Sequence, residues 1–96
     1  MPTFITKQVI RTLRLGGVKK AALFGSFARG EEKKNSDVDL LIQFSGQKSL
    51  LDMVRLKLAL EHEVHRKVDL VTYDSLHPSL RKRILEEQEV IYEKRS

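Results

Sequence analysis

A glycine–serine pair followed by two aspartates is the part of this sequence with the clearest chemical meaning. Ten residues separate the pair Gly25-Ser26 from Asp37-Val38-Asp39, within GSFARGEEKKNSDVDLLIQF. Side chains two positions apart in an extended strand point to the same face about 7 Å apart, so the two carboxylates would project together. Carboxylates bind magnesium, and a glycine lets the backbone approach a phosphate. The arrangement predicts a phosphate-binding bend beside a metal-binding pair, and hence nucleotide chemistry.

Two predicted strands would position these residues. Residues 18–24 predict a strand that runs into Gly25, and residues 37–44 predict a second strand. Residues 40–42 are all apolar and form the buried part of the second strand, which places the aspartates near its exposed start. Residues 30–36 are polar and predict the loop between the two strands.

The rest of the chain alternates helical and extended patterns. Gly16-Gly17 would end the first helix, and Pro78 would begin the last one. The patterns predict, in addition to the two strands above, a helix over 3–15, a helix over 49–65, a strand over 68–72, a helix over 78–87 and a short edge strand in the final EVIYE. This order predicts an α+β fold, a small mixed sheet with helices packed on it.

Composition narrows the class of protein. A chain of 96 residues with 41% hydrophobic content predicts one domain over residues 1–96. No apolar run approaches the roughly 20 residues that a membrane span requires, so we expect no membrane partner and a cytoplasmic location. The absence of cysteine excludes thiolate metal sites and disulfides. The net charge of +5 favours phosphates or an acidic partner, although a solvated basic helix face explains it equally well.

Each of these motifs also has a purely structural interpretation. Two aspartates at a strand start are often solvated turn residues, and Gly25-Ser26 could simply end a strand. The three histidines do not make a convincing metal set, and we expect them at the surface. Tyr73 could stack on a base but is more simply a partly buried strand-end residue. The basic run 81–83 could contact nucleic acid or form a solvated helix face.

Three segments taken together resemble a known family. GSFARG, SDVDLLI and the later VDLV resemble the nucleotidyltransferase superfamily that includes DNA polymerase β, and more closely its minimal nucleotidyltransferase branch. The order of predicted elements extends this resemblance over nearly the whole chain. The resemblance implies the nucleotidyltransferase fold and a catalytic transfer of a nucleoside monophosphate.

The resemblance also implies roles for three acids. Asp37, Asp39 and Asp69 would be the catalytic carboxylates and would hold one or two Mg²⁺ ions that bridge the triphosphate of ATP. Asp69 would lie on the attacking side and help to activate the acceptor hydroxyl. A surface ion pair between Asp69 and the preceding Arg66-Lys67 is the structural alternative.

Four further residues would bind the nucleotide. By the same resemblance Gly25 and Ser26 would contact the triphosphate. Arg29 would either bind a phosphate in bidentate fashion or brace the loop through a carboxylate. Ser36 would act there as a strand cap or as an orienter of the carboxylates.

The biological role that the resemblance implies is that of an antitoxin. Minimal nucleotidyltransferases of this size typically neutralise a HEPN-domain ribonuclease toxin by transferring AMP from ATP to one of its tyrosines. Two alternatives stay open: a non-catalytic module that masks a partner, and a protein that binds nucleic acid or modifies an RNA end. The sequence does not specify the donor base, the acceptor residue or the oligomeric state.

Overall fold

The computed structural model describes residues 2–95 and contains one four-stranded sheet. The strands are β1 (Val18–Phe24), β2 (Val38–Phe44), β3 (Val68–Thr72) and β4 (Glu89–Glu93), and their order across the sheet is β3-β2-β1-β4. β1 pairs with β2 and β4 in antiparallel fashion, whereas β2 and β3 are parallel. This mixed sheet with its helices confirms the predicted α+β class, and EVIYE is an edge strand as predicted.

Side-chain caps decide where the longer helices begin. Thr6 accepts a hydrogen bond from the Val9 N–H, so the first helix begins at residue 7 and the prediction of a start at residue 3 was wrong. Ser49 and Asp52 form a capping box at the start of the long helix. The helices are α1 (Lys7–Leu15), α2 (Ser26–Arg29), α3 (Leu50–Val64) and α4 (Pro78–Glu87), and a single 3₁₀ turn spans Tyr73–Ser75.

The sequence patterns missed the short helix α2. It is one turn long and lies between two glycines with positive φ, Gly25 at φ 69° and Gly30 at φ 71°. A single turn has no room for a repeated apolar spacing, so periodicity could not reveal it. Gly30 adopts the left-handed conformation that ends a helix, which is the turn role expected of it.

The hydrophobic core lies between one face of the sheet and the helix pair α1 and α3. Leu13 of α1 and Leu60 of α3 are fully buried against Leu23 of β1 and Ile42 of β2. One cluster of buried side chains joins these layers. The predicted single domain was drawn over residues 1–96, and residues 1 and 96 lie outside the described residues. Within residues 2–95, no helix combines the length and the apolar character that a bilayer crossing requires.

The other face of the sheet carries the acidic residues. Successive side chains of β2 point to opposite faces, so Asp39 and Leu41 face away from the core. Leu41 is nevertheless fully buried on this side. β3 and β4 are the two edges of the sheet, and the chain that joins them passes over this face. Its first residue, Tyr73, has its ring 5.4 Å from Nζ of Lys20, whose partner in β2 is Gln43, on the same face as Asp39 and Leu41. The acids therefore stand in the open part of a partly covered face.

Candidate active site

The structure brings the three predicted aspartates to one face of the sheet. Asp39 of β2 and Asp69 of β3 are partners in the register of the parallel pair, so their side chains project side by side. Asp37 comes one strand repeat before Asp39 and continues the same series. Asp39 is half-buried, whereas Asp37 and Asp69 are exposed. The three aspartates thus lie near one another where the parallel strands begin.

Asp39 carries the electrostatic strain of this arrangement. Burial raises the pKa of the Asp39 carboxyl above its ordinary value, and the negative charges of Asp69 and Asp37 raise that pKa further. Arg29 lowers the pKa of Asp39 but does not cancel these effects. A cation near the three acids would favour the ionised form of Asp39, because it would offset both the burial and the repulsion.

The three carboxylates are suitable ligands for a divalent cation, although their oxygens do not converge on one position. Carboxylate oxygens are the ligands that Mg²⁺ prefers. In the part of the chain that the structure describes, no three histidine, aspartate or glutamate side chains stand in an arrangement that could already hold a metal ion. At least one of Asp37, Asp39 and Asp69 would have to change its side-chain torsions to join the others. Their role as metal ligands therefore stays a prediction.

The predicted phosphate bend lies against the central carboxylate. Phe24, the last residue of β1, pairs with Asp39, so the chain turns away at Gly25 directly beside the acid. Gly25 has φ 69° and ψ −144°, a backbone conformation open almost only to glycine. A Cβ at this position would collide with Oδ2 of Asp39. The bend and the carboxylate can be this close only because residue 25 has no side chain.

Ser26 and Arg29 stand at the two ends of α2. Ser26 begins the helix next to the bend, and its carbonyl accepts a hydrogen bond from the Glu31 N–H at 2.9 Å. Arg29 donates to Glu31 at 3.3 Å and to Glu87 of α4 at 3.4 Å. Of the two contacts predicted for Arg29, the structure contains the brace through carboxylates. A phosphate contact of its exposed guanidinium stays a prediction.

Ser36 closes the loop in front of the acids. Its hydroxyl accepts a hydrogen bond from the Lys33 N–H at 2.7 Å, and its own N–H donates to the Lys33 carbonyl at 3.0 Å. The hydroxyl thus shapes the turn that delivers Asp37 to the start of β2. Of the two roles predicted for Ser36, these hydrogen bonds correspond to the cap. They do not involve the carboxylates of the aspartates.

Arg66 was missed as a site residue, and it joins three segments around the acids. Its Nη1 donates to the Lys34 carbonyl at 2.8 Å and to the Ser36 carbonyl at 3.4 Å, so it holds the loop that precedes Asp37. Its guanidinium lies 5.3 Å from the ring centroid of Phe27 in α2 and 5.7 Å from that of Phe4. The two rings meet edge to face at 5.2 Å.

The pattern around Arg66 gave little warning of this role. The basic pair at 66–67 suggested an ion pair with the neighbouring Asp69, whereas the Arg66 side chain binds carbonyls about thirty residues earlier in the chain. The local signal that could have found it is Phe27, an aromatic residue among the small and polar residues of GSFARG.

The other candidates take the structural roles expected of them. All three histidines are exposed, as predicted, and His77 caps α4 by accepting from the Ser79 N–H. Tyr73 is partly buried, and burial raises the pKa of its hydroxyl, which donates to Gln88 at 2.5 Å.

Comparisons with known proteins identify the family of this chain. The family model described as polymerase beta, nucleotidyltransferase matches residues 7–96. A relative from Methanocaldococcus jannaschii, to which protein adenylyltransferase activity is attributed, is 51% identical over 83 residues and covers 86% of this chain and 89% of its own length. Six further relatives, 37–43% identical, carry the same activity in their names, one of them from Thermococcus cleftensis.

Solved structures show the same fold. The structure of a protein assigned as a minimal nucleotidyltransferase matches with a TM-score of 0.77 at 41% identity, over 86% of this chain and 85% of that one. A chain from the complex of a tri-AMPylated Shewanella oneidensis HEPN toxin with its MNT antitoxin matches with a TM-score of 0.73, over 98% of this chain and 74% of that one, and its 19% identity indicates likeness of fold alone. This chain belongs to the polymerase beta nucleotidyltransferase family and, as its sequence predicted, to the minimal nucleotidyltransferase branch.

Proposed function

We propose that this protein transfers AMP from ATP to a hydroxyl group of a partner protein. The observation that carries the proposal is the pairing of Asp39 with Asp69 across the parallel strands, with Gly25 packed against the Asp39 carboxylate. Nucleotidyl transfer is chiefly a matter of positioning a triphosphate and neutralising its charge, and this arrangement suits that task. The activity named for relatives up to 51% identical supports a protein as the acceptor.

The donor nucleotide would lie on the β1 side of the acids. The Gly25 backbone has no side chain to keep a phosphate away, and Ser26 offers both an N–H and a hydroxyl. Arg29 stands one helical turn further along α2 and adds positive charge. We assign Ser36 to the loop turn beside the nucleotide, because its hydroxyl already accepts from the Lys33 N–H.

Asp37, Asp39 and Asp69 would hold magnesium. When bound, Mg²⁺ supplies neutralisation of the triphosphate and of the charge that develops on the leaving pyrophosphate. Asp69, on the edge strand β3, would face the acceptor and take up the proton of its hydroxyl. The hydroxyl oxygen would attack the α-phosphorus while the bond between the α-phosphorus and the bridging oxygen breaks, and pyrophosphate would leave.

The acceptor would be a tyrosine of a HEPN-domain toxin, which this protein would neutralise as an antitoxin. A protein of the same fold is an MNT antitoxin found in complex with a tri-AMPylated HEPN toxin. The resemblance in the sequence points to the same pairing. The partner and the tyrosine are therefore proposed by analogy of fold and family.

Incubation with radiolabelled ATP, Mg²⁺ and the purified product of the neighbouring gene tests the proposal. We expect label on the partner, loss of label in the Asp39→Asn variant, and retention of label in the matched Asp74→Asn variant, since Asp74 lies in the exposed 3₁₀ turn. A partner that stays unlabelled in the presence of nucleotide and Mg²⁺ contradicts the proposal. Removal of Mg²⁺ with a chelator should abolish transfer.

A masking role without catalysis is the second candidate, and the outward face of α3 favours it. This face exposes four apolar side chains: Leu50, Leu51, Val54 and Leu58. Such a surface could cover a partner without any chemistry. The two functions separate in one experiment, because a masking protein would still neutralise its partner after Asp39→Asn, whereas an adenylyltransferase would not.

A further inference from the structure

A groove of about 650 Å³ opens beside Asp37, where β2 and β3 begin. Residues 34–37, which lead into β2, form one wall, and residues 64–67, which join α3 to β3, form the other. Asp37 is part of the lining, so the groove leads directly to the candidate active site.

The two walls of the groove are held together by hydrogen bonds. Arg66 crosses from one wall to the carbonyls of Lys34 and Ser36 on the other. The Val38 N–H donates to the Lys67 carbonyl at 2.8 Å and joins the walls at their base. The segment turns sharply because His65, in the left-handed conformation at φ 56°, ends α3. The groove is therefore part of the fixed backbone framework of the domain.

The groove carries positive charge. Lys34 and Lys67 lie one on each wall, and both are exposed. Asp37 is the one acid among the eight lining residues, and it belongs to the catalytic set. Nη1 of Arg66 donates to carbonyls of the opposite wall, whereas the side chains of Lys34 and Lys67 are exposed and can reach a ligand. A ligand in this groove would bear negative charge near both.

The order of the strands separates the groove from the phosphate bend. Gly25 follows β1, whereas the groove lies where β2 and the edge strand β3 begin. Asp69 lies two residues after Lys67, the last residue of the groove wall, and Asp39 lies two residues after Asp37. A donor nucleotide at Gly25 and an acceptor in the groove would thus reach the acids from different strands, the donor from the end of β1 and the acceptor from the starts of β2 and β3.

We propose that this groove binds an acidic segment of the acceptor polypeptide, with aspartate or glutamate side chains next to the hydroxyl that receives AMP. The proposal rests on the proposed function, and it adds a recognition rule to it: Lys34 and Lys67 select acceptors by the charge around the acceptor residue.

Binding of labelled peptides tests the rule without any need for catalysis. The probes are fluorescein-labelled peptides with one tyrosine flanked by glutamates, by glutamines or by lysines, measured by fluorescence anisotropy. We expect the glutamate peptide to bind with a Kd below about 1 mM. The double variant Lys34→Glu and Lys67→Glu should weaken it at least about tenfold, because both contacts become repulsive. The matched double variant Arg11→Glu and Lys57→Glu changes the net charge equally at exposed positions of α1 and α3, and it should change the Kd less than about twofold.

Three results with the peptides alone overturn the proposal, and two competition results would assign the groove to another ligand. These are glutamate and lysine peptides that bind equally well, a Kd that the charge reversals at Lys34 and Lys67 do not change, and no binding of the glutamate peptide up to about 1 mM. Displacement of the peptide by Mg-ATP would place the groove in the nucleotide site instead. Tighter binding of a short single-stranded RNA, lost in the same double variant, would make it a nucleic-acid site.

The labelling assay separates this proposal from the proposed function. If the protein labels its partner, the reversals at Lys34 and Lys67 should raise the KM for the partner at least about tenfold and leave the KM for ATP within about twofold. Transfer with an unchanged partner KM overturns the role of the groove and leaves the proposed function intact. Peptide selectivity without transfer to any partner refutes the proposed function and leaves the groove as a site for acidic polypeptides.

Discussion

Replacement of Arg66 by alanine should destabilise the domain and disturb the active site together. The variant loses a charge-assisted hydrogen bond of 2.8 Å to the Lys34 carbonyl and two ring contacts, at 5.3 Å from Phe27 and 5.7 Å from Phe4. For a half-buried arginine we take about 1.5 kcal/mol for the hydrogen bond and about 0.5 kcal/mol for each ring contact, so the free energy of unfolding should fall by about 2.5 kcal/mol. In a domain of this size the Tm should drop by roughly 10–20 °C.

The same substitution should reduce catalysis, because Arg66 holds the carbonyl of Ser36, the residue before Asp37. A carboxylate displaced by about 1 Å can cost up to 10²-fold in rate, and we expect kcat for partner labelling to fall at least about tenfold. Arg66→Lys keeps the charge but lacks the planar group that lies against two rings, so its stability should be intermediate.

Urea unfolding and the labelling assay check these values. The matched control is Arg81→Ala, which removes an exposed arginine of α4 and should change the free energy of unfolding by less than about 0.5 kcal/mol. If Arg66→Ala is as stable as this control, or if Arg66→Lys equals the wild type, then Arg66 does not hold the loop and the reasoning is refuted.

Three further predictions concern the acids and the bend. Asp39→Asn should abolish transfer yet stabilise the domain at pH 7. The pKa of Asp39 is raised in the folded state, so its ionised form opposes folding above that pKa. The stability gained by the variant should vanish as the pH falls below about 3.9, where the carboxyl is protonated in the folded and unfolded states alike. Urea unfolding at neutral and acidic pH measures this, and an asparagine variant less stable at pH 7 contradicts it. Gly25→Ala should cost roughly 1–3 kcal/mol of stability and most of the activity, because the new Cβ meets Asp39. Gly30→Ala, also at positive φ but with open space around it, should keep the activity. Equal activities in the two variants would refute the role of the Gly25 bend in catalysis. Arg29→Gln should raise the KM for ATP several-fold and Glu87→Gln by less than about twofold, and an equal rise in both would show that Arg29 acts only as a brace.

The sequence predicted the elements that carry regular patterns. The strands at 18–24 and 68–72 match the observed β1 and β3, and the helix over 49–65 matches α3 together with its two capping residues. In these elements the apolar residues recur with a period of 2 or 3.6, and glycines and capping residues mark where the pattern stops. Where only a spacing was used, as at residues 3–6, the helix was drawn too long, because a cap at Thr6 outweighed the apolar residues before it.

The placement of the three aspartates on one face of the sheet could also be predicted from the sequence. The period of a strand places Asp37 and Asp39 on one face, and the family pattern links them to Asp69 and to the glycine bend. These features depend on neighbours in the chain or on a motif, so a linear pattern can represent them.

Tertiary structure alone decided the rest. The parallel register that sets Asp39 beside Asp69 and the contact of Arg66 with Phe27 both join residues thirty or more positions apart. The half-burial that raises the pKa of Asp39 also arises only when these segments pack. Such contacts depend on which faces meet when the layers pack, and that choice leaves no repeat in the local sequence. The groove beside Asp37 arises in the same way, since its two walls become neighbours only when β3 pairs with β2.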